Sequence, residues 1–370
     1  MTTRFQLIRM AQAGLLFLLC QVAMQACAQT DPAELRIGAT PKSPTRIVKV
    51  GFGTDRALQH PPNNPRTIFS NDLSPLHYGT CEVSIPANHA MGSLEWPGLF
   101  NFSSPNPESH VVLTEIAFDS SLSTVLTKMK GREFKPDADH VFVFVHGFAN
   151  SFESACRRTA QMWFDLKLPG YPLMYSWASR NDIGKFSTDK EIANGWSDRQ
   201  FKRFIADLVR NGVQGSKVHI VAHSMGTRLV MNALASTARA SEGSSNKPTF
   251  GNVVLFAPEI PTRTFQDLLQ EAKSTTTRVT LYGSASDTAL KMALQDSPDP
   301  RAGDFSSSPI GFQGVEVIDA SNVDFSLNGH TYYGDNRIVL ADLQELLKVV
   351  QREQRRELEP WTNGQYRFRK

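Results

Sequence analysis

The residues best suited to chemistry lie in the stretch 217–226, where a serine follows a short apolar run. The run over 218–221 contains β-branched residues and predicts a buried strand. Residues 227–237 then repeat apolar side chains at helical spacing. A strand, a tight turn with Ser224 and a helix form a nucleophile elbow, which exposes a serine hydroxyl at the carboxyl end of a sheet. The first small residue of this turn is Ala222, where the motif usually has glycine.

Main-chain N–H groups beside the serine could stabilise an oxyanion. The N–H of Met225 stands at the start of the predicted helix, where the partial positive charge favours an anion. A second signal is Val-His-Gly-Phe at 145–148, at the end of an earlier predicted strand. Gly147 lets the backbone turn there, so the N–H of Phe148 or a near neighbour could supply the second donor. The alternatives are a serine that only caps a helix and an ordinary His-Gly turn.

The general base is expected to be a histidine that follows both the serine and the acid in the chain. After His223 the sequence has one histidine, His330. It follows the last predicted strand, 315–318, and precedes a predicted helix that starts at Arg337. A loop in that position can return to the serine, although a lone histidine in a loop can also be merely exposed. If Ser224 has a base in this order, it is His330.

The acid has two main candidates. Asp287 follows the predicted strand 279–282, two strands after the serine, which is a usual place for the acid. Glu259 follows the predicted strand 253–256 and is the alternative. Asp287 could instead only cap the helix after it. Three weaker candidates are Asp304, Asp319 and Asp324.

Together these residues could transfer an acyl group to water. His330 would take the proton of Ser224, and Asp287 would orient the imidazole. The N–H groups of Met225 and Phe148 would stabilise the oxyanion on the way to an acyl-enzyme. The expected reaction is hydrolysis of a carboxylic ester or thioester in a small molecule or lipid. An amidase or peptidase would use the same groups, and a catalytically silent binding protein of the cell envelope is the alternative from another class.

The elements that would position these residues alternate between strand and helix from His140 onward. This rhythm predicts an α/β fold, with a mostly parallel central sheet covered by helices on both faces. Before it, strand-like segments from Arg46 onward could form an antiparallel edge of that sheet. Residues 191–213 read as one long helix, and residues 257–277 leave room for one helix but no large cap domain. We therefore expect one domain over 46–356.

Several stretches together resemble the bacterial α/β-hydrolases of the DUF900 type, which belong to a broad esterase/lipase superfamily. The matching stretches are 78–86, 141–152, 175–177, 222–226, 257–259 and 328–330. The resemblance spans about residues 46–350 and implies an α/β-hydrolase fold with a Ser-Asp-His site. It implies no substrate. Similar proteins often have aspartate after Ala-Pro, where this chain has Glu259.

The composition allows a large core and excludes one class of partner. The chain has 370 residues, 41% of them hydrophobic, and a formal net charge of +3. This length and hydrophobic content are enough for a large core, and the near-neutral charge gives no reason to expect a nucleic-acid partner.

The N-terminus predicts export. Residues 1–28 combine a basic start, a short apolar centre and a small-x-small end, which is typical of a secretory signal peptide. Cys27 also lies in a loose lipoprotein-type sequence, and its lipidation would anchor a periplasmic or secreted protein to a membrane.

Other segments carry smaller predictions. Residues 29–45 read as a flexible linker and residues 357–370 as a charged, exposed tail. Cys81 and Cys156 remain after cleavage and could pair in an oxidising compartment, or they could be two separate buried thiols. We expect no cofactor and no metal, because the histidines do not cluster with acidic residues at ligand spacing.

Overall fold

The computed structural model describes residues 36–38, 45–59, 64–97, 104–130, 140–296, 299–306, 311–323, 330–348 and 351–370. Its strands are β1 (Arg36–Gly38), β2 (Arg46–Leu58), β3 (Phe69–Ile85), β4 (Val112–Asp119), β5 (Val141–Val145), β6 (Tyr171–Ser176), β7 (Val218–His223), β8 (Phe250–Phe256), β9 (Thr276–Gly283), β10 (Val315–Asp319), β11 (Leu358–Pro360) and β12 (Tyr366–Phe368). Across these described ranges they form one 12-stranded sheet in the order β1-β4-β3-β2-β6-β5-β7-β8-β9-β10-β12-β11.

The centre of the sheet is parallel. Strand β5 lies between β6 and β7, and β7 pairs with β8, β8 with β9 and β9 with β10, all in parallel. Val145 pairs with Ala222, and Ala222 with Leu255, so β5, β7 and β8 end at nearly the same level. Strands β2, β3 and β4 pair antiparallel, as predicted for the first third of the chain. The loops that follow β5, β7, β8 and β9 therefore meet at one edge.

Helices cover both faces of the sheet, which confirms the predicted α/β arrangement. They are α1 (Leu122–Lys130), α2 (Phe152–Leu166), α3 (Phe186–Asn194), α4 (Trp196–Arg210), α5 (Gly226–Ala240), α6 (Thr262–Ala272), α7 (Thr288–Asp296), α8 (Tyr332–Asp335) and α9 (Arg337–Leu347). Between β8 and β9, where all residues are described, the one helix is α6, so no cap domain is inserted there.

Alternate residues of the central strands supply two cores. On one face, Val143 and Ile220 pack with helices α4, α5 and α6. On the other face, Phe144 and Val221 pack with α2 and α9. Each fully buried side chain of this size contributes roughly 1.5–3 kcal/mol to folding. Burial on both faces explains why these strands are continuous apolar runs rather than alternating ones.

Two parts of the predicted element pattern were wrong. The region 191–213 is not one helix, because it divides at Gly195, a residue with low helix propensity, into α3 and α4. Trp196 starts the second helix, and its Nε1–H donates to the oxygen of Ser74 at 3.0 Å. The strand-like segments of the sequence, 46–52 and 76–85, are shorter than β2 and β3, which form a hairpin with irregular register between Thr54 and Leu58.

The C-terminal segment 357–370 is not an exposed tail. Strand β12 pairs in parallel with β10 and antiparallel with β11, and Phe368 is fully buried. The charges misled the prediction because they alternate with apolar residues: Arg367 pairs with Glu359, while its neighbours face the core. In the predicted linker 29–45, residues 36–38 form β1 against β4.

The predicted signal peptide, residues 1–28 with Cys27, lies outside the described residues. Over the ranges that are described, none of the helices combines the length and apolar character needed to cross a membrane. Cys81 in β3 and Cys156 in α2 are joined by a disulfide, 75 residues apart in the chain. Closing a loop of that length in the unfolded state can stabilise the fold by up to about 4–5 kcal/mol.

Candidate active site

Ser224 occupies a strained turn between β7 and α5. Its backbone φ is 51°, a left-handed value that costs a residue with a side chain on the order of 1 kcal/mol or more. The N–H of Ser224 donates to the oxygen of Phe256 at 2.9 Å, and Thr227 Oγ1 donates to the oxygen of Ser224 at 2.6 Å. A side chain at Gly226 would collide with the main-chain oxygen of His146. This is the geometry of a nucleophile elbow, and it accommodates a buried Ala222 where glycine is usual.

His330 and Asp287 lie together. The distance from His330 Nδ1 to Asp287 Oδ2 is 2.8 Å, and the side chain of Asp287 is completely buried. The other oxygen, Oδ1, accepts the N–H of Leu290 at 2.9 Å in the first turn of α7. Asp287 therefore caps a helix and contacts the imidazole at once, with one carboxylate oxygen for each. The positive end of α7 stabilises the negative charge that the imidazole faces.

His223 joins this pair to the elbow. It directly precedes Ser224, and its Nε2–H donates to the main-chain oxygen of His330 at 2.9 Å. Its ring stacks on Tyr333 with the centroids 4.1 Å apart and lies 4.5 Å from the ring of His330. Burial, and then the proximity of His330, lower the pKa of His223 well below its ordinary value. A neutral His223 thus holds His330 beside the turn that carries Ser224.

Glu259, the alternative acid, has other partners. Arg228 Nε donates to its Oε2 at 2.6 Å and Arg301 Nε donates to its Oε1 at 2.8 Å. Ala257, with φ of 46°, turns the chain after β8 so that the buried Glu259 faces these two arginines. The histidine beside the elbow has Asp287 as its carboxylate instead.

The weaker acid candidates bind their own loops. Asp304 Oδ1 accepts the N–H of Ser306, and Asp319 Oδ1 accepts the N–H of Ser321, both at 2.9 Å. Asp324 lies outside the described residues.

The two predicted oxyanion donors belong to residues near Ser224 in the structure. A Cβ placed on Gly147 would be 2.9 Å from Ser224 Cβ, so the loop after β5 touches the elbow. Met225 precedes the first residue of α5, and its own backbone is already helical. Among the described residues, neither the N–H of Met225 nor that of Phe148 has an assigned acceptor. Met225 and Phe148 therefore both belong to segments that adjoin Ser224.

Two supporting residues were missed by the sequence reasoning. For His223 the sequence offers one weak indication of a role, its position directly before the serine of the elbow. His146 was noted only for its position before Gly147, yet it is buried, with its ring stacked on Trp177 at a centroid distance of 5.4 Å. In the described part of the chain, no group of three or more His, Cys, Asp or Glu side chains could hold a metal ion.

Comparison with known proteins gives one family and several solved structures. A model of the family described as alpha/beta hydrolase of unknown function (DUF900) matches residues 121–349. The apo form of Thermogutta terrifontis esterase 2 is similar at 13% identity with a TM-score of 0.27, over 58% of this chain and 83% of that chain. The same esterase phosphoramylated by tabun gives 13% identity and a TM-score of 0.30, over 58% and 84%. No curated protein matches the sequence.

Proposed function

The chain belongs to the DUF900 family of α/β-hydrolases, and from that premise we propose that it is a serine hydrolase that cleaves a carboxylic ester or thioester. The observation that carries the proposal is the strained elbow at Ser224 beside the hydrogen-bonded pair of His330 and Asp287. Each side chain alone is ordinary. A serine held at φ of 51° next to a histidine that a buried carboxylate orients has a specific use in acyl transfer.

The proposed reaction begins with proton transfer. With Nδ1 donating to Asp287, Nε2 is the atom of His330 that accepts the Ser224 proton while Oγ attacks the carbonyl carbon. The carbonyl oxygen gains the negative charge, which the N–H groups of Met225 and Phe148 stabilise. The imidazolium returns its proton to the leaving alcohol or thiol as the bond to carbon breaks. Water then attacks the acyl-enzyme by the same steps, and Ser224 Oγ regains its proton.

We further propose that the protein is exported, to the periplasm or beyond. Two features support this. The segment 1–28 has the sequence of a signal peptide. The disulfide between Cys81 and Cys156 is of a kind that persists in oxidising compartments. If Cys27 is lipidated, the mature protein is membrane-anchored. The intact mass of the mature protein distinguishes a soluble form from a lipidated one, because a mature chain beginning at Gln29 excludes lipidation of Cys27.

Labelling with a fluorophosphonate probe tests the hydrolase. Such a probe phosphonylates activated serines preferentially, so wild type should label and Ser224→Ala should not. His330→Ala should label far more slowly, because Ser224 then lacks its base. Hydrolysis of p-nitrophenyl esters, thioesters and anilides by the wild type would then rank the leaving groups.

A matched control is His219→Asn, which removes a buried histidine at the opposite end of β7. This variant should label as wild type does. Folded wild type that neither labels nor hydrolyses any of the three substrate classes would contradict the proposal. A binding role for the fold would then be the better account.

A further inference from the structure

The loop 146–150, which carries Gly147 and Phe148, is fixed by side chains at every residue. The bonds run from Trp177 Nε1–H to His146 O (2.8 Å), from His146 Nδ1–H to Gly147 O (2.7 Å), from Asn150 Nδ2–H to Phe148 O (2.9 Å), from Ala149 N–H to Asp189 Oδ2 (3.3 Å), from Asn150 N–H to Ser179 Oγ (3.2 Å) and from Arg56 Nη2–H to Asn150 O (2.6 Å). The arrangement fixes which way each peptide unit faces.

The bond to Gly147 O belongs to a directed chain of hydrogen bonds. Arg56 Nε–H donates to Ser176 Oγ at 3.1 Å, and Ser176 Oγ lies 3.2 Å from His146 Nε2. Arginine can only donate, and a carbonyl oxygen can only accept. Because Nδ1 of His146 faces the oxygen of Gly147, the imidazole proton sits on Nδ1. Nε2 of the neutral ring is then the acceptor, and the Ser176 hydroxyl donates to it. The chain thus selects one tautomer of His146, the one that can bind Gly147 O.

Burial and charge keep that imidazole neutral. His146 is enclosed, and its burial and then the nearby guanidinium of Arg56 lower its pKa to about 3. Trp177 stacks on the ring with an interplanar angle of 13°. At neutral pH the ring therefore keeps one proton and one orientation. This combination suits a fixed hydrogen-bond donor better than a residue that exchanges protons with substrate.

The orientation of Gly147 O determines the orientation of the next N–H. The two groups belong to one planar trans peptide, so they point in opposite directions. Glycine rotates readily about its backbone bonds, so the peptide could turn over if its oxygen lost its donors. His146 supplies the short bond, and Asn150 Nδ2 adds a longer one at 3.4 Å. A turned-over peptide would present a carbonyl oxygen to the oxyanion in place of the Phe148 N–H.

We propose that His146, kept in one tautomer by Ser176 and Arg56, is a positioning residue that holds the Phe148 N–H, through Gly147 O, in the orientation that binds the tetrahedral oxyanion. This inference rests on the proposed hydrolase function. His146 itself does not touch the reacting atoms in this account. Its effect is confined to the transition state, because the N–H that it orients binds charge that develops only there.

Steady-state kinetics on p-nitrophenyl butyrate, with inhibition by an alkyl trifluoromethyl ketone, test the proposal. The ketone forms a tetrahedral oxyanion with the serine and so reports on the donors directly. His146→Leu keeps the bulk beneath Trp177 but loses the donor, and kcat should fall about 10²-fold with KM little changed. Affinity for the ketone should fall in parallel. His146→Asn, whose Nδ2–H can replace Nδ1–H, should recover most of both losses.

Ser176→Ala provides a second, milder variant in case His146→Leu fails to fold. It leaves the imidazole in place but removes the group that selects its tautomer, so it should lower kcat and ketone affinity together by a smaller factor. His219→Asn is the matched control, because it also removes a buried histidine, and it should behave as wild type. Urea midpoints show whether each variant is folded.

Three results would overturn the proposal. If His146→Leu and Ser176→Ala hydrolyse ester and bind the ketone as wild type does, while Ser224→Ala is inactive, only the role of His146 fails. If wild type shows no hydrolysis that depends on Ser224, the proposed function fails and this inference with it. Nitrogen-15 NMR of histidine-labelled protein gives an answer without activity: a proton on Nδ1 of His146 supports the chain of bonds, and a proton on Nε2 overturns it.

Discussion

Two buried carboxylates, Glu259 and Asp287, occupy similar places in the fold but bind different kinds of partner. Glu259 follows β8 and Asp287 follows β9, both at the edge where Ser224 lies. Two guanidinium groups enclose Glu259, whereas Asp287 contacts one imidazole and one helix N-terminus. A carboxylate between two permanent cations is fixed as a structural anion. A carboxylate facing an imidazole can respond when that imidazole gains a proton.

The comparison predicts that the two carboxylates separate activity from stability. The largest effect is expected for Asp287→Asn. The amide can still accept the helix N–H but it cannot stabilise a charged His330, so kcat for p-nitrophenyl butyrate should fall by about 10⁴-fold, as the same change does in a well-studied Ser-His-Asp triad. A kcat within tenfold of wild type would show that Asp287 is not the orienting acid. The proposed difference in role between Asp287 and Glu259 would then be wrong.

The second prediction concerns Glu259→Gln. The change leaves Arg228 and Arg301 buried with no anion between them, and the free energy of unfolding should fall by about 3–5 kcal/mol. In the fraction that remains folded, kcat should stay within tenfold of wild type. Guanidinium unfolding measures the first quantity and kinetics the second.

Glu345→Gln is the matched control for that variant. It removes a glutamate that pairs with the exposed Arg356, and it should leave stability almost unchanged. If Glu259→Gln keeps wild-type stability and loses activity, the two carboxylates have been assigned the wrong way round.

The smallest predicted effect separates the two contacts of Asp287, the cap on α7 and the contact with His330. Asparagine keeps the cap on α7, whereas Asp287→Ala removes it together with the contact to His330. Asp287→Ala should therefore be less stable than Asp287→Asn by about 1 kcal/mol, although both lose activity to a similar degree. Urea unfolding of the two variants side by side gives this difference. Equal stabilities would mean that the cap contributes nothing, and that Asp287 acts only through His330.

Much of the candidate site can be predicted from local sequence patterns. A strand, a turn and a helix around Ser224 are encoded by local periodicity, and His330 is the sole histidine that follows them. The sequence could not choose between Asp287 and Glu259 with certainty, because both follow strands of the same sheet. What separates them is the approach of Arg228 and Arg301, and the position of Arg301 relative to Glu259 depends on tertiary structure.

Other features depended on contacts between distant segments. The two hydrogen bonds from Arg56 to Ser176 and from Ser176 to His146 connect β2, the end of β6 and the loop after β5, and no local pattern indicates them. The segment 357–370 failed for a related reason. Its charges suggested exposure, but the pairing of β12 with β10, a contact between distant segments, places Phe368 in the core.

The most direct test of the central claim is to identify the residue that a fluorophosphonate modifies. Purified protein would be labelled to completion, and the modified peptide would be located by mass spectrometry. A single phosphonyl group on Ser224, formed rapidly in wild type and slowly in Asp287→Asn, is the result that this account predicts. Modification elsewhere, or modification of Ser224 at the same rate in both proteins, would contradict a serine activated by His330 and Asp287.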